Sequence, residues 1–203
     1  MKSNFVKRMV LIILAVAIGV LLVIVMALHV RRNIWQEVVD ISKYEEILGE
    51  NGKYKDNLVG YNDIFPDSLE KADQVEAFRY IYCNPWDANY FGYLVCSYSE
   101  AEYEEEVARL RGLKKTEYKG IYGIDSFPLE LCSVYADDTY GVIYSLADNK
   151  EKKIIYVALE FCNYFTDIHY EKKLDVKYLP KGFNAKPGNG TRKAFEERTR
   201  VLQ

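Results

Sequence analysis

Cysteine is the first residue type in this chain that could do chemistry. Four cysteines are present, Cys83, Cys96, Cys132 and Cys162. No two form a C-x-x-C pair, so zinc or thioredoxin-like chemistry has little support. An even number would allow two disulfides, in three connectivities, if the domain lies outside the cell. All four lie in strand-like runs, which favours the interpretation that they are small buried core residues.

Histidines and carboxylates give no clearer catalytic signal. His29 and His169 are the two histidines, and pairing His169 with Cys162 as a dyad would require folding to bring them together. No nucleophile elbow, P-loop, zinc-protease helix or EF-hand loop occurs. Acidic residues cluster in YNDIFPDS and ADDTYG, which are typical of turns, and nothing selects one pair among 30 acids. The sequence therefore predicts no catalytic, cofactor-binding or metal-binding residue.

One apolar segment near the start determines where the chain sits. Residues 9–30 read MVLIILAVAIGVLLVIVMALHV, with no ionisable side chain except His29. About 20 such residues cross a bilayer core as a helix, and the absence of a polar face argues against a buried soluble helix. We predict a single-pass transmembrane signal-anchor in contact with the lipid bilayer. A cleaved signal peptide is the disfavoured alternative, because the run is long and lacks a small-residue cleavage site.

The basic residues beside this segment predict its orientation. Three lie in the flank 1–8 and two follow the apolar run directly. The positive-inside rule favours a cytoplasmic N-terminus and an extracytoplasmic C-terminal domain by one charge, and the reverse orientation is the alternative. The residues expected at the membrane interface are Lys7, Arg8, Arg31, Arg32 and Trp35.

The part of the chain after the apolar segment is acidic. All 30 acidic residues lie beyond residue 30, as do 24 of the 27 basic residues, so this part has a net charge of −6. A nucleic-acid-binding domain would carry a basic patch, so nucleic acid is excluded as a partner. The charge also argues against a domain that lies flat on anionic lipid.

The remaining chain divides into three predicted parts. Residues 31–53 carry an apolar stripe at helical spacing that ends at Gly49, which predicts a stalk helix and linker, with a short coiled-coil seam as the alternative. Residues 54–185 are expected to form the globular domain. Residues 186–203 contain few large apolar residues and are expected to form a flexible tail.

The stretch RYIYCNPWDANYFGYLVCSY, residues 79–98, contains seven aromatic rings. Two alternating runs flank the turn-forming residues NPWDAN, which predicts a β-hairpin. A turn centred on residues 86–87 sets Cys83 opposite Tyr90 and leaves Cys96 beyond disulfide reach of Cys83. About half of the rings must then point into the core. The rings proposed as a partner contact are Trp86, Tyr90 and Phe91.

A well-marked helix follows the hairpin. Ser99 and Glu102 form a capping box, and the helix SEAEYEEEVARLRG has a buried stripe of Tyr103, Val107 and Leu110. Glu105 is placed to pair with Arg109. Further strands are expected at 131–135, 140–146 and 154–162, with an edge strand over 168–180. The predicted fold class is α+β, with one N-terminal transmembrane helix, a stalk helix, and an antiparallel sheet of about five or six strands with one packed helix.

The layout resembles a group of bacterial proteins. The anchor, the acidic stalk, DIFPDSL, the helix YSEAEYEEEVARL and the hairpin LADNKEKKIIYVALE together look like uncharacterised small membrane-anchored proteins of Gram-positive, clostridia-like bacteria. The likeness covers residues 60–160. It implies a bacterial cell envelope and no particular activity.

Three functional hypotheses fit these features. The first is a membrane-anchored, non-enzymatic binding or accessory protein that faces the envelope, because anchoring and an aromatic-rich sheet are evident and no catalytic group is assembled. The alternative is an immunity or inhibitor-like protein whose acidic surface neutralises a basic partner. The third is a hydrolase with two carboxylates about 5–10 Å apart in a cleft. No cofactor is predicted, and any partner besides the bilayer is an unidentified protein or ligand.

Overall fold

The structure is a computed structural model that describes residues 2–53, 63–83, 88–161, 164–166 and 168–201, with the backbone alone for residues 2–6, 10 and 29–34. The chain forms two compact units, residues 1–36 and residues 37–203. The predicted start of the globular domain at residue 54 lies outside the described residues, as do Trp86 and Cys162.

The first unit consists mainly of helix α1, Lys2–Ile34. Within it, the 22 residues Lys7–Leu28 have a mean hydropathy of 3.4, and they are long and apolar enough to cross a membrane. The described side chains from Leu11 to Leu28 are exposed. The segment predicted to span the bilayer, residues 9–30, falls inside this helix.

The second unit is built on a six-stranded sheet, which confirms the predicted fold class. The strands are β1 Trp35–Val38, β2 Gln74–Cys83, β3 Asn89–Ser97, β4 Glu130–Asp137, β5 Gly141–Asp148 and β6 Lys153–Glu160. Their order is β1-β2-β3-β6-β5-β4, and the pairs from β2 to β4 are antiparallel. The nearly continuous apolar sequence of β6 indicates a central strand, and β6 lies between β3 and β5.

Both faces of the sheet are covered. On one face, which we call the helix face, helix α3 (Glu100–Gly112) and the short helix α2 (Tyr44–Ile47) contribute to one hydrophobic core. On the opposite face, a second core includes side chains from residues 121–124 and 168–185. Alternation along the strands assigns the side chains to these faces: Phe78 and Tyr80 belong to the first core, and Ile81 to the second.

Helix α3 forms as its sequence indicates. The Ser99 hydroxyl accepts the backbone N–H of Glu102, and Tyr103, Val107 and Leu110 are buried. The predicted Glu105–Arg109 pair is replaced by two others. Glu105 pairs with Lys71, and Arg109 pairs with Glu106, three residues earlier. Both spacings are allowed on a helix surface, and tertiary contacts select between them.

The segment 31–53 differs from the predicted stalk helix. Helix α1 ends at Ile34, and strand β1 follows at once. Asp40 then caps a 3-10 turn by accepting the N–H of Ser42, and α2 follows. The apolar residues that suggested a helical stripe are separated: Ile34 ends α1, Val38 ends β1, Ile41 begins the 3-10 turn, and Leu48 follows α2. Tyr44 and Leu48 are fully buried in the core of the helix face, and this packing sets the local structure.

The hairpin forms, but its register is one residue from the predicted one. Tyr82 pairs with Tyr90 and Cys83 with Asn89, whereas the sequence placed Cys83 opposite Tyr90. The connection between the strands, residues 84–88, has an odd number of residues where an even number was expected. In such a hairpin a shift of one residue changes every facing pair.

The C-terminal region contains no edge strand over 168–180 among its described residues. Two 3-10 turns, Tyr170–Lys172 and Val176–Tyr178, lie there instead. The expected flexible tail contains helix α4, Gly190–Val201. Asn189 fixes its start, because its side chain accepts the N–H of Arg192 and donates to the carbonyl of Tyr164. This contact comes from a distant part of the sequence, so local composition could not reveal it.

Candidate functional site at one end of the sheet

One row of residues across the helix face combines acids with aromatic rings. The register pairs Tyr82 with Tyr90, Tyr90 with Glu160, Glu160 with Gly141 and Gly141 with Asp137. These residues come from β2, β3, β6, β5 and β4, so a single row crosses five strands. We call it the carboxylate–tyrosine row.

Gly141 lies between the two acids of the row, Glu160 and Asp137, and contributes no side chain there. Gly141 has a φ of 112°, and a Cβ there would overlap the carbonyl oxygen of Leu159, so only glycine fits. Glu160 and Asp137 lie on the strands to either side. Strand spacing puts their Cα atoms about 10 Å apart. Because glycine has no side chain, no side chain lies between Glu160 and Asp137 in the row.

Glu160 is a buried acid, and one of its carboxyl oxygens has no described hydrogen-bond partner. Its side chain is on a central strand and only 3% exposed, and its Oε2 has no hydrogen-bond partner among the described residues. Burial, and then the charge of Asp137, raise the pKa of Glu160 well above its ordinary value. Burial without a partner costs roughly 1–3 kcal/mol. Unpaired buried acids of this kind are typical of functional sites.

Asp137 is held differently from Glu160. Its Oδ1 accepts the backbone N–H groups of Thr139 at 2.7 Å and Tyr140 at 3.0 Å, which fixes the β4–β5 turn. The side chain is half-buried. On the same strand and face, Tyr135 is close to both acids: burial, then Asp137 and Glu160, raise its pKa. The row therefore has one acid whose carboxyl group is fixed by hydrogen bonds within a turn, Asp137, and one acid, Glu160, whose Oε2 has no described hydrogen-bond partner.

The tyrosines form the other half of the row. The rings of Tyr82 and Tyr90 lie 5.4 Å apart between centroids, at 42° to each other, and both are half-buried. Carboxyl groups beside aromatic faces can bind N–H or O–H donors and cover the apolar or cationic part of a ligand. Among the described residues, no group of three or more His, Cys, Asp or Glu side chains is placed to hold a metal ion.

The structure separates the three rings proposed as a partner contact. Tyr90 lies in the carboxylate–tyrosine row. Phe91 points to the opposite face, is 0% exposed, and packs on Tyr170 with ring centroids 5.7 Å apart. Phe91 therefore supplies core packing and no exposed contact. Trp86 lies outside the described residues.

The predicted membrane-interface residues are placed in part. Lys7 and Arg8 lie in the first turns of α1 and are exposed, and Trp35 begins β1. The side chains of Arg31 and Arg32 lie outside the described part. Their role at an interface stays a prediction.

The three described cysteines are buried, in agreement with the interpretation of the cysteines as small core residues. Burial is the main cause that raises the pKa of Cys96 to about 12 and that of Cys132 to about 11, so neither thiol is activated. Cys83 is buried as well. His169 is exposed and lies 3.0 Å from Glu171. Cys162, the other member of the possible dyad with His169, lies outside the described residues.

A second polar cluster lies farther along the same face and has partners throughout. Tyr98 and Tyr156 share a 2.8 Å hydrogen bond, and the Tyr156 hydroxyl donates to Glu106 at 2.7 Å. Arg109 then donates to Glu106 at 2.6 Å and to the carbonyl of Ile64 at 3.0 Å. We call this the tyrosine–glutamate network. An open groove of about 350 Å³ lies beside Glu106 and Arg109.

Sequence analysis missed Glu160 and treated Asp137 as a turn residue. ADDTYG was noted as a turn, which is correct for Asp137, and the run IIYVALEFC was noted as a buried strand. The available signal was Glu160 itself, the only ionisable carboxylate in that run. A charge in a strand buried on both faces needs a partner or a function.

Comparison with known proteins gave no match: no family model, no curated protein and no solved structure matches this chain.

Proposed function

We propose that this chain is a membrane-anchored binding protein whose ligand site is the carboxylate–tyrosine row. Helix α1 holds the chain at the bilayer, and the α+β unit presents the row. We favour binding over catalysis because the row contains a buried acid without a described partner and two aromatic rings, and its described residues include no serine, cysteine or histidine nucleophile. This is the first of the three hypotheses drawn from the sequence.

The observation that supports the proposal is the unpartnered carboxyl of Glu160. A buried polar group without a partner destabilises the domain, and an apolar side chain of similar size would remove that cost. Retaining the acid makes physical sense if a ligand supplies the missing hydrogen bond. Asp137, Tyr90 and Tyr82, which lie in the same row, would contact the same ligand.

A ligand screen on the full chain in detergent micelles tests the proposal. Thermal unfolding is measured with small amines, sugars and short peptides, each compared with Glu160→Gln. Glu130→Gln is the matched control, because it removes the same charge from the other end of β4. We expect one class to stabilise the wild-type chain and the control but not Glu160→Gln. A screen in which every class acts equally on all three proteins would contradict the proposal.

The side of the membrane is also part of the proposal. The basic residues of the flank 1–8, at the start of α1, support an extracytoplasmic domain in a bacterial cell envelope. A Glu197→Cys variant places a thiol on an exposed position of α4. Labelling of intact cells with a membrane-impermeant maleimide, above the wild-type background, is expected. Labelling only after lysis would place the domain in the cytoplasm.

A hydrolase is the second candidate, and one observation favours it. The Cα atoms of Glu160 and Asp137 are about 10 Å apart by strand spacing, which allows the separation of roughly 6.5–9.5 Å between carboxyl groups found in inverting glycosidases. Burial favours the protonated form of Glu160, as a general acid requires. Turnover of a chromogenic glycoside that is abolished in Glu160→Gln and kept in Glu130→Gln would establish catalysis and replace the binding proposal.

The immunity or inhibitor alternative stays a prediction. It requires acidic groups that are available to a basic partner. Several acids on and beside α3 are already engaged, because Glu100 pairs with Lys152, Glu105 with Lys71 and Glu130 with Arg111. These pairs reduce the charge that this surface would offer.

A further inference from the structure

From the geometry of the row we infer that its ligand carries a primary ammonium group, which sits above Gly141 between Glu160 and Asp137 and against the tyrosine rings. This inference names the ligand class for the binding site proposed above and rests on that proposal. The matching chemistry is that of a lysine side chain, an amino sugar or a polyamine.

The unpartnered oxygen selects a donor. Oε2 of Glu160 is buried and lacks a hydrogen bond within the described part of the chain. In its ionised form the Glu160 carboxyl group only accepts hydrogen bonds, so a partner that binds this form has N–H or O–H groups. A primary ammonium offers three such donors, whereas a quaternary ammonium offers none. The oxygen therefore favours a primary amine over a choline-like group.

The charges around Gly141 select a cation. Asp137 and Glu160 lie on the strands to either side of Gly141, and the described charge that acts on the pKa of Glu160 is that of Asp137, another acid. The titratable neighbours from the packed strands are Asp137 and Tyr135 on β4, Tyr90 on β3 and Tyr82 on β2. A bound cation would offset the repulsion between the two acids, and its hydrogen bonds to the two carboxyl groups would be strengthened by charge.

The tyrosines complete the fit to an alkylammonium. Tyr82 and Tyr90 continue the row beyond Glu160, with their ring centroids 5.4 Å apart. An aromatic face attracts a cation within about 6 Å of its centroid. The methylene groups next to the ammonium would cover ring surface, as lysine stems do on apolar surfaces. A bare inorganic cation would gain nothing from this half of the site.

Binding of such a cation changes the protonation of Glu160. Burial and Asp137 favour the neutral acid in the unliganded chain. A bound ammonium stabilises the charged form, so the site releases a proton when the amine binds. Affinity therefore rises with pH from the ordinary glutamate pKa of about 4.3 to the point at which Glu160 ionises without ligand. A neutral ligand would leave the proton in place.

Calorimetric titration of the full chain in detergent micelles with cadaverine, 1,5-diaminopentane, tests the inference. Measurements at pH 6.5 in two buffers of different ionisation enthalpy give the number of protons released. Pentane-1,5-diol and pentyltrimethylammonium serve as matched neutral and quaternary probes. We expect cadaverine to bind with release of up to one proton, and both analogues to bind at least about tenfold more weakly.

Three variants refine the result. Glu160→Gln is expected to lower cadaverine affinity at least about tenfold and to abolish proton release. Asp137→Asn is expected to lower the affinity less. Glu130→Gln is expected to leave the affinity and the proton release unchanged. The wild-type proton count stands on its own if a variant does not fold. If the diol binds as tightly as cadaverine and both lose affinity in Glu160→Gln, the ammonium inference is overturned and the binding proposal is kept. Equal behaviour of all probes and variants would overturn both.

Discussion

The two polar clusters on the helix face differ in one respect, which is whether every buried group has a partner. The tyrosine–glutamate network joins Tyr98, Tyr156, Glu106 and Arg109 through hydrogen bonds of 2.6–2.8 Å. The carboxylate–tyrosine row contains Glu160, whose Oε2 has no described partner. The same face and the same central strand therefore carry one complete network and one incomplete one.

The comparison separates structure from function. In a complete buried network each member is satisfied by the protein itself, so the network contributes stability and specificity of packing. In an incomplete one the protein carries a cost that its own fold does not offset. Tyr156 and Glu160 are four residues apart on β6 and on the same face, so burial in the sheet alone does not explain the difference. We assign stability to the first cluster and ligand binding to the second.

The largest effect is expected from breaking the complete network. Glu106→Ala removes one acceptor from the Tyr156 hydroxyl, which keeps Tyr98, and one from the Arg109 guanidinium, which keeps the carbonyl groups of residues 63 and 64. We expect the free energy of unfolding to fall by about 2–3 kcal/mol, measured by urea unfolding of the full chain in micelles. Glu104→Ala, an exposed neighbour on α3, should change it by less than about 0.5 kcal/mol. Equal effects of the two substitutions would show that the network adds nothing.

An effect of opposite sign is expected at the incomplete row. Glu160→Gln keeps the size of the side chain and removes its ionisation. We expect the free energy of unfolding at pH 7.5 to rise by about 1–2 kcal/mol, because keeping this acid neutral or burying its charge is costly there. The same urea titration measures it. A fall of that size would mean that Glu160 has a stabilising partner within the protein.

The difference in the free energy of unfolding between the wild type and Glu160→Gln should depend on pH. The folded-state pKa of Glu160 is raised by burial and by Asp137, so its stabilising contribution is fully present below the unfolded pKa of about 4.3. It is lost as pH rises through the folded pKa, by up to about 1.4 kcal/mol per pH unit. We expect the variant to gain on the wild type from pH 4.5 upward. A pH-independent difference would contradict the raised pKa.

The smallest effect is expected at the end of the complete network. Tyr98→Phe removes one hydroxyl and one hydrogen bond to Tyr156, which keeps its bond to Glu106. We expect a loss of about 0.5–1.5 kcal/mol in the free energy of unfolding. The double variant with Glu106→Ala should show a non-additive loss if the groups form one network. Strict additivity would indicate separate contacts.

Much of the fold was predictable because it depends on local pattern. Alternation marked β2 and β3 and assigned their faces, and Ser99, Glu102 and Gly112 marked helix α3 and its end. The hairpin register depended on the length of the connection, which composition does not give. The 3-10 turns over 170–178 and the start of α4 depend on contacts with distant residues such as Tyr164.

The candidate site was much less predictable than the fold. Glu160, Gly141, Asp137 and Tyr90 are brought together by the strand order β3-β6-β5-β4, in which sequence neighbours are not always spatial neighbours. A single sequence gives alternation within each strand but not which strands pair. Tyr90 was identified as a contact residue and lies in the row. Phe91, one residue later, faces the opposite core, because adjacent strand residues point to opposite faces.

The protonation state of Glu160 tests the central claim most directly. The full chain, labelled with ¹³C at the glutamate side-chain carboxyl carbons, is titrated by NMR in micelles, and the Glu160 signal is assigned by its absence in Glu160→Gln. The account predicts that this signal keeps the position of the neutral acid at pH values above the ordinary glutamate pKa of about 4.3 and moves to the charged position when cadaverine is added. A Glu160 signal that titrates near pH 4.3, as in an unfolded chain, would contradict it.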